Sequence, residues 1–147
     1  MFQLLRRGLF SMAIVACAYT LHPATSMAQS LAGPNKVVFQ VSDADPQKWN
    51  LALNNAKNVQ DDLGGTDAVD LEIVVYGPGI GMLKADSPVA KRIADALKSG
   101  VKVVACENTM RGQHLVQADM LPAIGYVPAG VVELMKKQQQ GYAYIRP

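Results

Sequence analysis

An α/β fold with a mostly parallel five-stranded sheet is predicted by two patterns and one length. Strand-like runs alternate with amphipathic helix-like runs from Lys36 to the end of the chain. The strand-like runs are apolar almost without interruption, which suits strands covered on both faces rather than half-solvated ones. The chain has 147 residues, and the portion after residue 28 suffices for one domain but not two.

The elements follow in order. Lys36–Val41 is β-branched and apolar, hence a first strand. Asp45 and Pro46 then serve as N-cap and first helical residue. Trp49, Ala52, Leu53, Ala56, Val59 and Leu63 recur at three- and four-residue spacing and predict one apolar helix face. Gly64 and Gly65 end that helix. Val69–Tyr76 is the second strand, and Gly77–Gly81 is a glycine-rich loop after it. Ser87 and Pro88 cap a helix with Ala90, Ile93, Ala94 and Leu97 inward and Gly100 at its end. Val101–Ala105 is the third strand, ending at Cys106. A short helix over Asn108–Val116 follows, then a fourth strand over Ala123–Val127. Gly130–Gln140 is a helix with Val131, Val132 and Met135 inward, and Tyr142–Ile145 is a last short strand. Crossovers between parallel strands are right-handed.

The first 28 residues have a different layout. Arg6 and Arg7 precede an apolar stretch from Gly8 to about Leu21, Pro23 breaks it, and Ser26-Met27-Ala28 offers small residues at a cleavage site. This is the pattern of a secretory signal peptide cut before Gln29, so the expected location is periplasmic. Ile14–Cys17 resembles a lipobox that would lipidate Cys17, but the site before Gln29 is better placed. The Arg6-Arg7 pair leaves Sec and twin-arginine export undecided. The expected organisation is a leader, 1–28, and one domain, 29–147.

Composition narrows the partners. Loss of Arg6 and Arg7 removes two of the 14 basic residues and leaves 12 of each sign. A chain without basic excess is a poor polyanion binder, so nucleic acid is not expected. Half the residues are apolar and 18% are charged, which excludes bulk disorder. After residue 28 no apolar run approaches the ~20 residues of a membrane span. Cys106 is the one cysteine left after the leader, so no intramolecular disulfide forms. His114 is the one remaining histidine, and a closed zinc site needs about four ligands. No metal and no cofactor is expected.

In open α/β sheets, sites form at the carboxyl ends of strands. Two segments fall there: Gly77-Pro78-Gly79 with its following residues, and Cys106-Glu107-Asn108-Thr109. The glycine loop could offer N–H groups to an anion, though a turn that needs glycine accounts for it better, since it matches neither a dinucleotide fingerprint nor a P-loop. Cys106 sits where a helix begins, a place that lowers a thiol pKa and is expected to be partly exposed. A small buried hydrophobe fits the position equally well. Arg111 could add positive charge there and Glu107 would oppose it. His114 could act as a base, although a lone histidine is more often structural.

Val103–Met110, Gly77-Pro78-Gly79, Gly125–Gly130 and the ending Gly141–Pro147 together resemble the DsrE/DsrF-like family, over Lys36–Pro147. The Cys106-x-Asn108-Thr109 piece is the most specific part. The resemblance implies a flavodoxin-like three-layer α/β sandwich, a homo-oligomer, and sulfur relay through a cysteine persulfide, with Cys106 at the sulfur-carrying position. It also implies donors and acceptors that are thiol proteins or small sulfur compounds. The export signal departs from the cytoplasmic relay proteins of that family. Two other functions remain open. One is a non-catalytic oligomeric module binding a small anion or protein at the Gly77–Gly81 and Cys106–Thr109 cleft. The other is a thiol redox sensor that pairs between chains.

Overall fold

The computed structural model describes residues 33–147. The leader 1–28, its cleavage site before Gln29 and Cys17 lie outside the described residues.

Five strands form one sheet in which every pairing is parallel, in the order β4-β3-β2-β1-β5. They are β1 Asn35–Val41, β2 Val69–Val75, β3 Lys102–Cys106, β4 Gly125–Val127 and β5 Ala143–Ile145. Four helices connect them: α1 Pro46–Leu63, α2 Ala90–Lys98, α3 Glu107–Gly112 and α4 Gly130–Gln139. The three-layer, flavodoxin-like α/β architecture expected from the sequence is the one observed, with a wholly parallel sheet.

Alternation along each strand sorts the core. Val37, Phe39, Val41, Leu71, Ile73, Val75, Val103 and Ala105 face α1 and α2 and join the main hydrophobic cluster. Val38, Val74 and Val104 face the other way, where Leu134 and Tyr142 complete a much smaller cluster. One side of the sheet is thickly covered. The other is covered mainly by α4, which packs on β1, β2 and β5.

Helix α1 starts as expected. The Asp45 Oδ1 accepts from the Gln47 amide at 2.8 Å, with Pro46 in the first turn. It ends at Gly64, whose φ of 102° requires glycine. Its inward face differs at one end: Leu63 is exposed and Gln60 is buried, bonded to Ser99 of the turn after α2. In α2, Ile93 is buried but Ala94 faces out, and Ala96 packs on the core instead.

The largest departure is α4. Leu134 and Gly130 are buried, whereas Val131, Val132 and Met135, expected inward, are 59, 40 and 52% exposed. The helix is set on the sheet by Gly130, Leu134 and Lys137, which share one face at four- and three-residue spacing. That face carries a lysine, so hydrophobic periodicity selected the wrong stripe. The segment after β2 also differs, since Gly77–Leu83 is a 3-10 helix rather than an open loop.

Candidate functional site

β3 delivers Cys106 to the carboxyl edge of the sheet, on the side covered by α4. Its neighbours in that row are Tyr76, which follows β2, and Val127 of β4. Cys106 is itself the N-cap residue of α3, with extended backbone. The chain then runs through α3 and β4 and returns at Pro128–Gly130. There the Gly130 amide, first in α4, donates to the Cys106 Sγ at 3.2 Å. The N-cap residue of α4, Ala129, has no side chain that can accept, so the Cys106 sulfur satisfies one of the free N-terminal amides of that helix. The sulfur therefore lies at the amino ends of two helices, where partial positive charge gathers.

Burial pushes the Cys106 thiol pKa up. The Gly130 amide outweighs it together with the Thr109 hydroxyl and the amides of Thr109 and Asn108, and the net direction is downward. The thiolate is thus favoured relative to an ordinary cysteine. The expectation of partial exposure is not met: Cys106 is 5% exposed. The return of the chain over the strand end accounts for this, because the Asn108 amide bonds the Pro128 carbonyl at 3.2 Å and fastens that loop to α3.

The other sequence-derived candidates divide into those brought near and those not. Thr109 accepts from the Gly77 amide through its Oγ1 at 2.9 Å, joining the glycine segment to α3. Gly79 donates to the Ser42 and Tyr76 carbonyls. The amides of Gly77 and Gly79 are therefore engaged inside the protein, and the glycine segment is not an open anion cradle. Pro78 lies in the first turn of that 3-10 helix. Arg111 donates to the Asn108 Oδ1, and both are exposed. His114 is exposed beyond the far end of α3, ~9 Å along the helix axis from its start, in a shallow depression with Lys84, Asp86 and Asp119. No hydrogen bond joins it to Cys106 among the described residues.

Sequence reasoning missed two partners of the site. Gly130 was seen as a helix start but not as a donor to sulfur, although a helix opening without Ser, Thr, Asp or Asn leaves its amides in search of an acceptor. The apolar pattern places Tyr76 in the second strand and gives it no further role. Its Cβ would lie 3.0 Å from a Cβ at position 130, so it supports Gly130 directly.

Known proteins place this geometry in context. Residues 35–147 match the model of the DsrE/DsrF-like family. Among solved structures, the chain is similar to a protein of unknown function, MTH1491, from Methanobacterium thermoautotrophicum. That similarity has 32% identity and a TM-score of 0.73, covering 77% of this chain and 99% of the other. Two further structures share the fold. BT1422 from Bacteroides thetaiotaomicron, of unknown function, has 15% identity and a TM-score of 0.63 over 77% of this chain and 95% of its own. The ychN protein from E. coli has 12% identity and a TM-score of 0.61 over 77% and 99%. No curated protein matches the chain.

Proposed function

The chain belongs to the DsrE/DsrF-like family, a sulfur-relay-related family, and from that premise we propose that it is an exported sulfur carrier working through a persulfide on Cys106. The observation that carries the reading is the Gly130 amide on the Cys106 Sγ, at the start of two helices. A sulfur relay needs a thiolate at neutral pH, and this arrangement favours one.

The chemistry balances without an external oxidant. The Cys106 thiolate attacks the outer sulfur of a persulfide donor. A bond forms between Sγ and that sulfur, the donor's sulfur–sulfur bond breaks, and the donor leaves as a thiolate. In the second step an acceptor thiolate attacks the sulfur held on Cys106, and Cys106 departs as thiolate. Helix amides stabilise the anion that begins the first step and ends the second. Donor and acceptor are thiol proteins or small sulfur compounds, and the carrier works as a homo-oligomer in the periplasm.

Intact mass spectrometry of protein purified from the periplasm, with and without reductant, tests this. We expect a reductant-sensitive gain of about 32 Da, the mass of one sulfur, on a chain beginning at Gln29. Cys106→Ser must abolish the adduct. A chain that retains Met1 would remove the export step, and a wild type that never loads sulfur from a persulfide donor would remove the carrier.

One observation favours the alternative, a non-catalytic binding module. A cysteine only 5% exposed behaves as a small buried hydrophobe unless the loop before α4 yields to a donor. The loading experiment separates the two readings.

A further inference from the structure

Helix α4 is fastened to the sheet at two points. Gly130 meets Tyr76 and the Cys106 sulfur at its beginning. Two turns later, the Lys137 Nζ lies 2.6 Å from the Glu72 Oε2. Glu72 is buried in the middle of β2, and Lys137 is nearly as enclosed, with 5 and 11% of their side chains exposed. The Glu133 Oε1 approaches the same ammonium at 3.7 Å, and that ammonium lies 4.9 Å from the centre of the Tyr142 ring.

This pair is a poor device for stability alone. The Glu72 Oε1 is buried without a hydrogen-bond partner. Burial also raises the Glu72 pKa, against the pull of Lys137. Apolar residues of similar volume commonly stabilise such a position as well or better, and register is the best-attested use of a buried charge. The distances suit that use. Gly130 and Lys137 are seven residues apart, ~10.5 Å along a helix and nearly on one face. Glu72 and Tyr76 are four residues apart, ~13 Å along a strand. The helix therefore runs back along β2 with both fastenings engaged at once. A slip of one turn, ~5.4 Å, would break both together.

We propose that the Glu72–Lys137 pair sets the register of α4 on the sheet and thereby holds the Gly130 amide on the Cys106 sulfur, which makes both of them positioning residues for the thiolate. α4 needs such a fixing because Leu134 is its one buried large apolar side chain. The inference rests on the geometry of the thiol and not on sulfur relay, and its test is independent of persulfide loading.

The test is the rate of Cys106 alkylation by iodoacetamide as a function of pH. The double variant Glu72→Gln/Lys137→Met removes both charges and keeps their volume. Its alkylation midpoint should rise by at least about half a pH unit, which is roughly threefold less thiolate at pH 7. Lys137→Arg keeps the charge and should restore the wild-type midpoint. The double variant Glu72→Gln/Lys137→Gln also removes both charges but can keep a side-chain hydrogen bond between the two positions, so it guards against loss of the fold, and its midpoint should rise by a smaller amount. Tyr76 after β2, Glu107 and Arg111 on α3 and Glu133 on α4 are unchanged in all three. Either of the uncharged variants, folded by circular dichroism and titrating as the wild type does, would overturn the proposal.

Discussion

A thiol capped by a backbone amide responds to substitution differently from one packed only among hydrocarbons. In Cys106→Ser the new hydroxyl can accept from Gly130 as the sulfur does. The expected loss is about 1 kcal/mol or less, against roughly 1–3 kcal/mol for a buried hydroxyl without a partner. A melting temperature lowered by the larger amount would show that the amide does not hold that site. Tyr142 gives a second prediction at this scale. Burial, and then the Asp70 carboxylate that accepts its hydroxyl at 2.6 Å, push its pKa up to about 12 from 10.0. A folded-state value raised in this way gives stability that is complete below pH 10 and is lost as pH rises through about 12. Tyr142→Phe should cost roughly 1.5–3 kcal/mol near neutrality, the worth of one bond to a charged acceptor. It should also flatten the alkaline decline. Tyr76 and Lys102, whose pKa values are raised too, leave part of that slope in place. Denaturant unfolding at pH 9 and pH 11 checks this, and equal declines in both proteins would refute it. Cys106 itself was legible because an apolar run ends on it. Gly130 and Glu72 were not, since one is 24 residues away in sequence and the other is a charge inside a strand.

At the scale of the element, the glycine segment after β2 shows what pattern conveys and what it omits. Its place at a strand end was readable, and a turn that needs glycine was the better sequence reading. The packing that demands glycine was not readable, because it involves β1. A Cβ at Gly79 would stand 2.7 Å from the Val41 carbonyl oxygen and 3.0 Å from the Ser42 Cα. These are backbone atoms and cannot step aside. Gly79→Ala is therefore expected to cost roughly 1–3 kcal/mol. Gly112→Ala, where nothing lies within 4 Å, should be neutral or slightly stabilising in the last turn of α3. Paired melting curves decide the matter, and equal melting temperatures would mean that Gly79 does not require its close approach. Helix α4 teaches the complementary lesson. Its start and length were legible from Gly130 and the run that follows. Its orientation was not, because an ion pair with β2 overrides the hydrophobic stripe.

Across residues 33–147 the packing is asymmetric about the sheet, and the outer face of α4 is where that asymmetry reaches solvent. The α1/α2 side buries a continuous cluster, whereas the opposite side has Leu134 and Tyr142 over Val38, Val74 and Val104. On that side Val131, Val132, Met135 and Tyr144 remain exposed. The sheet edges offer little alternative for association, because β4 and β5 are three residues each and short edges pair poorly with other chains. A homo-oligomer built through the α4 side follows as the expected assembly, in keeping with the apolar patches that mark subunit contacts. It would bring a second subunit close to the start of α4, and so to the amide that caps Cys106. Light scattering at micromolar concentration should give a multiple of the subunit mass. Met135→Lys, which places charge on an exposed position outside both fastenings of α4, should lower that mass without altering the circular dichroism spectrum. A wild type that scatters as a monomer would contradict the assembly. An oligomer indifferent to Met135→Lys and to Val132→Glu would move the contact to another face of the molecule.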